Sequence, residues 1–172
     1  MDPQSRLWTV LSIEAAEQAA LWDLMEGRTV TAEHFVPAGT ASLQPVTHHG
    51  KNSLPLFSRF QKRFCRQEGV EEVWGYNHQT FSWLTGPGYF VGRNDDGRYV
   101  LDYTKLPPQR PEGWPTLRDN DRALARPVFG GLVDEIRGVS EHVCIGRAAR
   151  GSTPMDSWFV LCRDDANTGR GA

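Results

Sequence analysis

The sequence predicts a mainly β protein with an N-terminal helix, folded as a single small antiparallel barrel or strongly curved sheet. Three observations carry that prediction. An apolar stripe at helical spacing occupies residues 12–26, the pattern changes to period two from residue 73 onward, and glycine-rich turns separate the later runs at hairpin distances. At 172 residues the chain suits one domain, able to bury roughly 70% of its unfolded surface in one core. That domain is expected over residues 1–163. The polar tail DDANTGRGA, residues 164–172, is expected to be disordered.

The helix comes first. Ala15, Ala19, Trp22 and Met25 recur on one face, opposite Glu14, Glu17 and Asp23. Ser12 is the expected N-cap and Gly27 the expected C-terminal stop. The small alanines allow close approach, and the stripe is expected to cover one open end of the barrel. Residues 31–52 contain Pro37, Gly39, Pro45 and Gly50 and read as irregular chain. In residues 56–66, Leu56, Phe57, Phe60 and Phe64 follow helical spacing behind Pro55. Phe60 and Phe64 also share strand parity, so helix and strand both stay open there.

Residues 73–103 hold eight of the 18 aromatic residues, including all four tyrosines. Trp74, Tyr76 and His78 share one strand face, and Phe81 and Trp83 share a face of the next strand. Gly86-Pro87-Gly88 ends that strand. Asn94-Asp95-Asp96-Gly97 is the strongest turn signal. A three-residue loop over 95–97 pairs Arg93 with Tyr99, Val91 with Leu101 and Tyr89 with Tyr103, gathering the large groups on one face. A two-residue turn at Asp96-Gly97 puts Val91 opposite Asp102 instead. If one face is buried, the first register is preferred.

Residues 105–127 carry five prolines and little periodicity, the pattern of a long loop that wraps a surface or serves function. Trp114 is its expected anchor. Strands resume over 132–139, 142–149 and 157–163, with a hairpin loop over 151–156, for about seven strands in all.

Composition excludes several classes. A net charge of -2 and a pI near 6.2 argue against a dedicated nucleic-acid binder. No apolar run approaches the roughly 18 residues of a membrane helix, and the N-terminus lacks a signal peptide's pattern. Cys65, Cys144 and Cys162 show no CxxC spacing, which favours reduced thiols in a cytoplasm.

The order of helix, KRF-containing segment, aromatic strands and closing pair resembles lipocalin-like proteins. It is most similar to an uncharacterised bacterial group known for a GXWXG motif. DEIRGVSEHVCIGRA and WFVLCR, within residues 134–163, look like that group's last three strands. The GXWXG motif itself is absent from this chain. The resemblance implies an architecture rather than an activity.

Candidate chemistry is sparse. His48 and His49 are adjacent and lack the spacing of a metal set, so no metal is expected. Ser140-Glu141-His142 lacks a nucleophile elbow and serves as a turn. Gly86-Pro87-Gly88 and Gly130-Gly131 lack the form of a phosphate cradle, and no cofactor is expected. The basic-aromatic run over 59–66 reads as a charged face beside an apolar stripe. Arginine with aromatics is the constellation that remains. Arg147 shares parity with Val143 and Ile145, and Arg163 with Phe159 and Leu161. A buried arginine must meet an acid such as Asp102 or Asp134, or a ligand's carboxylate.

The leading expectation is therefore a barrel that binds a small apolar or carboxylated molecule. Trp74, Tyr76, Trp83, Tyr89 and Tyr103 line it, with Arg147 or Arg163 as the polar anchor. The first alternative is a cofactor-independent cyclase, isomerase or dehydratase using Asp102, Tyr103 and His142 for proton transfer. The second is a protein-interaction module with a filled core, using residues 105–127 or 59–66 as its contact surface. The sequence leaves the oligomeric state open, a homodimer included.

Overall fold

The computed structural model describes residues 2–55, 58–78, 86–120 and 126–165. Eight antiparallel strands close into a barrel in simple chain order. They are β1 (Val46–Asn52), β2 (Arg59–Cys65), β3 (Val73–His78), β4 (Tyr89–Asp95), β5 (Arg98–Asp102), β6 (Leu132–Gly138), β7 (Val143–Arg150) and β8 (Thr153–Arg163). β1 pairs with β8, from His48 opposite Arg163 to Asn52 opposite Phe159. That closure leaves no free edge among the described strands. The predicted class, a mainly β lipocalin-like barrel with an N-terminal helix, is what the chain adopts.

β1 corrects the reading of residues 31–52 as wholly irregular. VTHHGKN has little intrinsic strand preference, and pairing with both β2 and β8 supplies what propensity does not. The choice over 56–66 resolves to strand from Arg59. The final hairpin turns at Gly151 rather than across 151–156, so β8 runs eleven residues. The expected strand at Phe81 and Trp83 and the end of the tail, 166–172, lie outside the described residues.

Among the described residues three helices precede the barrel, the first two of ten residues each. α1 (Pro3–Ser12) starts at Asp2, whose carboxylate accepts from the amides of Gln4 and Ser5, with Pro3 in the first turn. α2 (Ala15–Leu24) starts at Glu14, in a reciprocal capping box with Glu17. Ser12 thus ends one helix instead of capping the next. α2 does not close a barrel end either. With Val10 of α1, its Trp22 packs on the outer faces of β7 and β8, against Val143, Ile145, Val160 and Cys162.

The ends are filled by shorter pieces. Phe35 of α3 (Ala32–Phe35) is fully buried at one end, 4.8 Å from the Phe64 ring and 5.1 Å from Tyr99. Phe129 of α4 (Arg126–Phe129) stacks on Tyr103 at the other, 5.6 Å between centroids and 7° between planes.

The β4–β5 register differs from the preferred one. Asp95 pairs with Arg98, Arg93 with Val100, Gly92 with Leu101 and Val91 with Asp102. Asp96 (φ 51) and Gly97 (φ 79) form the two-residue turn, closed by the Gly97 amide on Asn94 Oδ1 at 3.1 Å. Both positive dihedrals suit a type I′ hairpin, which follows strand twist. The preference for the other register assumed one buried face. Here both faces are buried, because residues 105–120 bring Trp114 and Leu117 over Trp74, Tyr76, Tyr89 and Val91.

Inside the barrel, Val46, Phe64, Val73, Phe90, Tyr99, Leu101, Tyr103, Ile136, Cys144, Phe159 and Leu161 form one continuous core. Glycines make room for its rings. A Cβ on Gly75 would lie 2.5 Å from the Phe90 ring, and one on Gly146 would lie 2.2 Å from Phe159. Rings laid over strand glycines let a narrow barrel hold this many aromatics.

Candidate functional site

Among the described residues two polar features break the largely apolar lumen: His48, at the Phe35 end with its ring 4.8 Å from Phe64, and a larger group built around Lys62. On β2 the inward positions are Phe60, Lys62 and Phe64, and on β6 they are Leu132, Asp134 and Ile136. Lys62 and Asp134 therefore point into the same interior, each 3% exposed. Asn77 of β3 and Tyr103, just beyond β5, complete the set. Lys62 Nζ donates to Asn77 Oδ1 at 2.9 Å and to the Tyr103 hydroxyl, and lies 3.5 Å from Asp134 Oδ2. Asn77 Nδ2 donates to the Tyr103 hydroxyl at 3.1 Å. The ammonium's three protons thus meet three acceptors.

Around this polar centre the walls are aromatic. Lys62 Nζ is 4.8 Å from the Phe159 ring centroid, 5.1 Å from Phe90, 5.1 Å from Tyr103 and 5.6 Å from Phe60. These are cation–π distances. Burial in such surroundings acts against both charges. It lowers the Lys62 ammonium from its usual range, with Asp134 pulling the other way, and raises the Asp134 carboxyl, with Lys62 opposing. Burial, reinforced by Asp134, drives the Tyr103 phenol well above its usual value. Proton transfer between Lys62 and Asp134 converts an ion pair into a neutral amine beside a neutral acid, and burial narrows the gap between those states.

The expected ligand-lining residues divide. Tyr103 belongs to this cluster. Trp74, Tyr76 and Tyr89 lie on the outer face beneath Trp114, with the Tyr76 and Trp114 rings 4.8 Å apart. They are no part of the lumen wall, which corrects the expected one, and the cause is the one-residue change in register. Trp83 lies outside the described residues. Arg147 is on the outside of β7, donating to the Met155 carbonyl at 2.9 Å with its guanidinium over Trp158.

Arg163 is buried at the α3 end. It donates to the His34 carbonyl at 2.8 Å, His142 Nδ1 at 2.8 Å and Asp165 at 3.0 Å. It borders a cleft of about 480 Å³ with Arg28, His34 and Glu141. His142 is therefore a partner of Arg163, far from the lumenal cluster. Asp102 is also separate. It faces outward, 3.1 Å from Arg93 and bonded to Thr104. The three acid-base candidates thus do not assemble into one site. The 105–120 segment tucks Trp114 inward, bonding through Asn120 to the carbonyls of Tyr89 and Tyr103.

Lys62, Asn77 and Asp134 were not singled out together from the sequence. A signal was present: FxKxF and LxDxI each place one charge at an inward parity between apolar neighbours, with opposite signs on two strands.

The fold and its interior define a class: a closed eight-stranded antiparallel barrel, lipocalin-like in architecture, with an aromatic lumen and a buried polar centre. Beyond that class, no protein-family model matches the chain, and no curated protein matches it.

Proposed function

We propose that this barrel is a small-molecule-binding protein whose ligand presents a polar oxygen group to Lys62, Asn77 and Tyr103. The apolar body of the ligand lies among Phe60, Phe90 and Phe159, and entry follows displacement of Phe129 from Tyr103. The observation that carries this reading is the buried Lys62–Asp134–Tyr103–Asn77 cluster inside a largely aromatic lumen. Burying an ion pair is a poor way to gain stability, since apolar side chains of similar volume commonly serve as well or better. A built cluster of donors within aromatic walls is, by contrast, the ordinary composition of a ligand site. Arg163 and Arg147, already engaged with their own neighbours, give way to Lys62 as the anchor. The lipocalin-like architecture is compatible with a barrel that carries a ligand.

Tryptophan-fluorescence titration with decanoate and with aromatic carboxylates tests the reading, using wild type and Phe129→Ala. Saturable binding, tightened in Phe129→Ala where the plug is removed, is the expected result. No saturable change in either protein would end the proposal.

The raised Asp134 carboxyl favours a second reading, a cofactor-independent isomerase or dehydratase. In that reading Asp134 and Tyr103 move the protons, replacing Asp102 and His142. Solvent-deuterium incorporation across a panel of unsaturated acids, lost in Asp134→Asn, supports it. A panel with no incorporation removes it.

A further inference from the structure

Resting on the lumenal-binding reading, we propose that Lys62 is an amine nucleophile and that the ligand is a small, largely apolar aldehyde or ketone held as an imine. Residue choice is the first argument. The chain has sixteen arginines and three lysines, yet the cation at the centre of the lumen is a lysine. A guanidinium stays charged in a protein, whereas a buried ammonium can lose its proton and attack a carbonyl.

Geometry is the second argument. Asp134 Oδ2 lies 3.5 Å from Lys62 Nζ, placed to take the ammonium proton. The Tyr103 hydroxyl lies directly on Nζ and is itself held by Asn77 Nδ2 at 3.1 Å, placed to orient a carbonyl oxygen. The four rings at 4.8–5.6 Å offer an apolar wall to the rest of the molecule. The lowered Lys62 ammonium and raised Asp134 carboxyl agree with this assignment.

The step balances within the site. Asp134 takes one ammonium proton, and the neutral amine adds to the carbonyl carbon. A second nitrogen proton passes to the former carbonyl oxygen, giving a carbinolamine. Asp134 returns its proton to that hydroxyl, the C–O bond breaks, and water leaves. What remains is a protonated imine with one proton on nitrogen, facing an ionised Asp134. The charge pattern of the resting ion pair is restored, and no oxidant or reductant is consumed.

The low lysine count makes the test clean. The folded chain is incubated with butanal or benzaldehyde and sodium cyanoborohydride at pH 7, and alkylated sites are located by peptide mass spectrometry. Lys62 is expected to acquire the alkyl group at least tenfold faster than Lys51 or Lys105, and Asp134→Asn to slow it at least tenfold. If that variant does not fold, the wild-type selectivity decides alone. Alkylation of Lys62 no faster than that of the other two lysines overturns the imine. A parallel fluorescence titration with the same aldehydes and with decanoate separates the two claims. Saturable binding with Lys62 unmodified removes the imine and leaves lumenal binding standing. Neither binding nor modification removes both.

Discussion

Replacing Lys62 by methionine keeps most of its aliphatic volume and removes its charge, leaving Asp134 buried without a cation. Removing one partner of a buried ion pair costs about 3–5 kcal/mol. For a chain of this length that corresponds to a Tm fall of roughly 6–20 °C. The cost is predicted to depend on pH in a definite direction. Burial raises the Asp134 carboxyl, and the variant loses the Lys62 attraction that opposed that rise. In Lys62→Met the folded state therefore holds a proton that the unfolded state has released. Stability relative to wild type falls as pH rises from the already raised wild-type value of Asp134 toward the still higher value of the variant, by about 1.4 kcal/mol per pH unit. Measured as a difference at each pH, contributions from other titrating groups cancel. The double variant Lys62→Met/Asp134→Leu removes both charges and leaves the Asn77–Tyr103 hydrogen bond of 3.1 Å intact. It is expected within about 1 kcal/mol of wild type, a coupling of at least about 3 kcal/mol. Urea unfolding followed by tryptophan fluorescence supplies all four corners of the cycle. Additive single effects, with coupling below about 0.5 kcal/mol, would refute the reasoning.

Other expectations concern the shell that holds this centre. Burial depresses His34 to about 4 and His48 to about 3, so between pH 6.5 and those values the unfolded state binds protons that the folded state refuses. Stability is full above pH 6.5 and is lost as pH falls, by about 2 kcal/mol per histidine at pH 5. His48→Phe should remove about half of that loss in urea midpoints compared at pH 7.5 and 5, and an unchanged pH dependence would contradict the assignment. Gly146→Ala places a methyl 2.2 Å from the Phe159 ring and should cost about 1–3 kcal/mol, with Phe159→Leu relieving it in the double variant. An undiminished loss in that double variant would separate the effect from the ring. Trp114→Ala empties the outer aromatic cluster against Tyr76 and Tyr89, at about 3–5 kcal/mol. Limited proteolysis should then cut residues 105–120 first, and cleavage elsewhere at the wild-type rate would show that Trp114 does not pin that segment.

The fold was legible where periodicity and turn chemistry were strong. The period-two runs from residue 73, the glycine punctuation and the helical spacing up to Trp22 gave the class and most of the strands, although Ala15 is exposed and Gln18 joins Trp22 on the buried face. β1 escaped because VTHHGKN depends on partners on both sides for its conformation. α1 escaped although Asp2-Pro3 is a helix-start signal. The wall was misplaced by one residue because the sequence does not show that the proline-rich segment buries the outer faces of β3 and β4. With both faces apolar, alternation no longer distinguishes inside from outside. Tyr103 was legible as a lumenal residue. Its partners Lys62 and Asp134 lie 41 and 31 residues away in sequence, and only barrel closure brings those strands around one centre.

The central claim is that Lys62, inside the barrel, is the group that meets the ligand. The protein contains three lysines, so ¹⁵N-lysine labelling yields three side-chain ammonium signals to follow. Titration with decanoate and with butanal, observed at the nitrogen, interrogates Lys62 directly. The predicted result is a saturable shift confined to the Lys62 signal, with Lys51 and Lys105 unmoved. A Lys62 signal that stays in place while Lys51 or Lys105 responds would contradict the account.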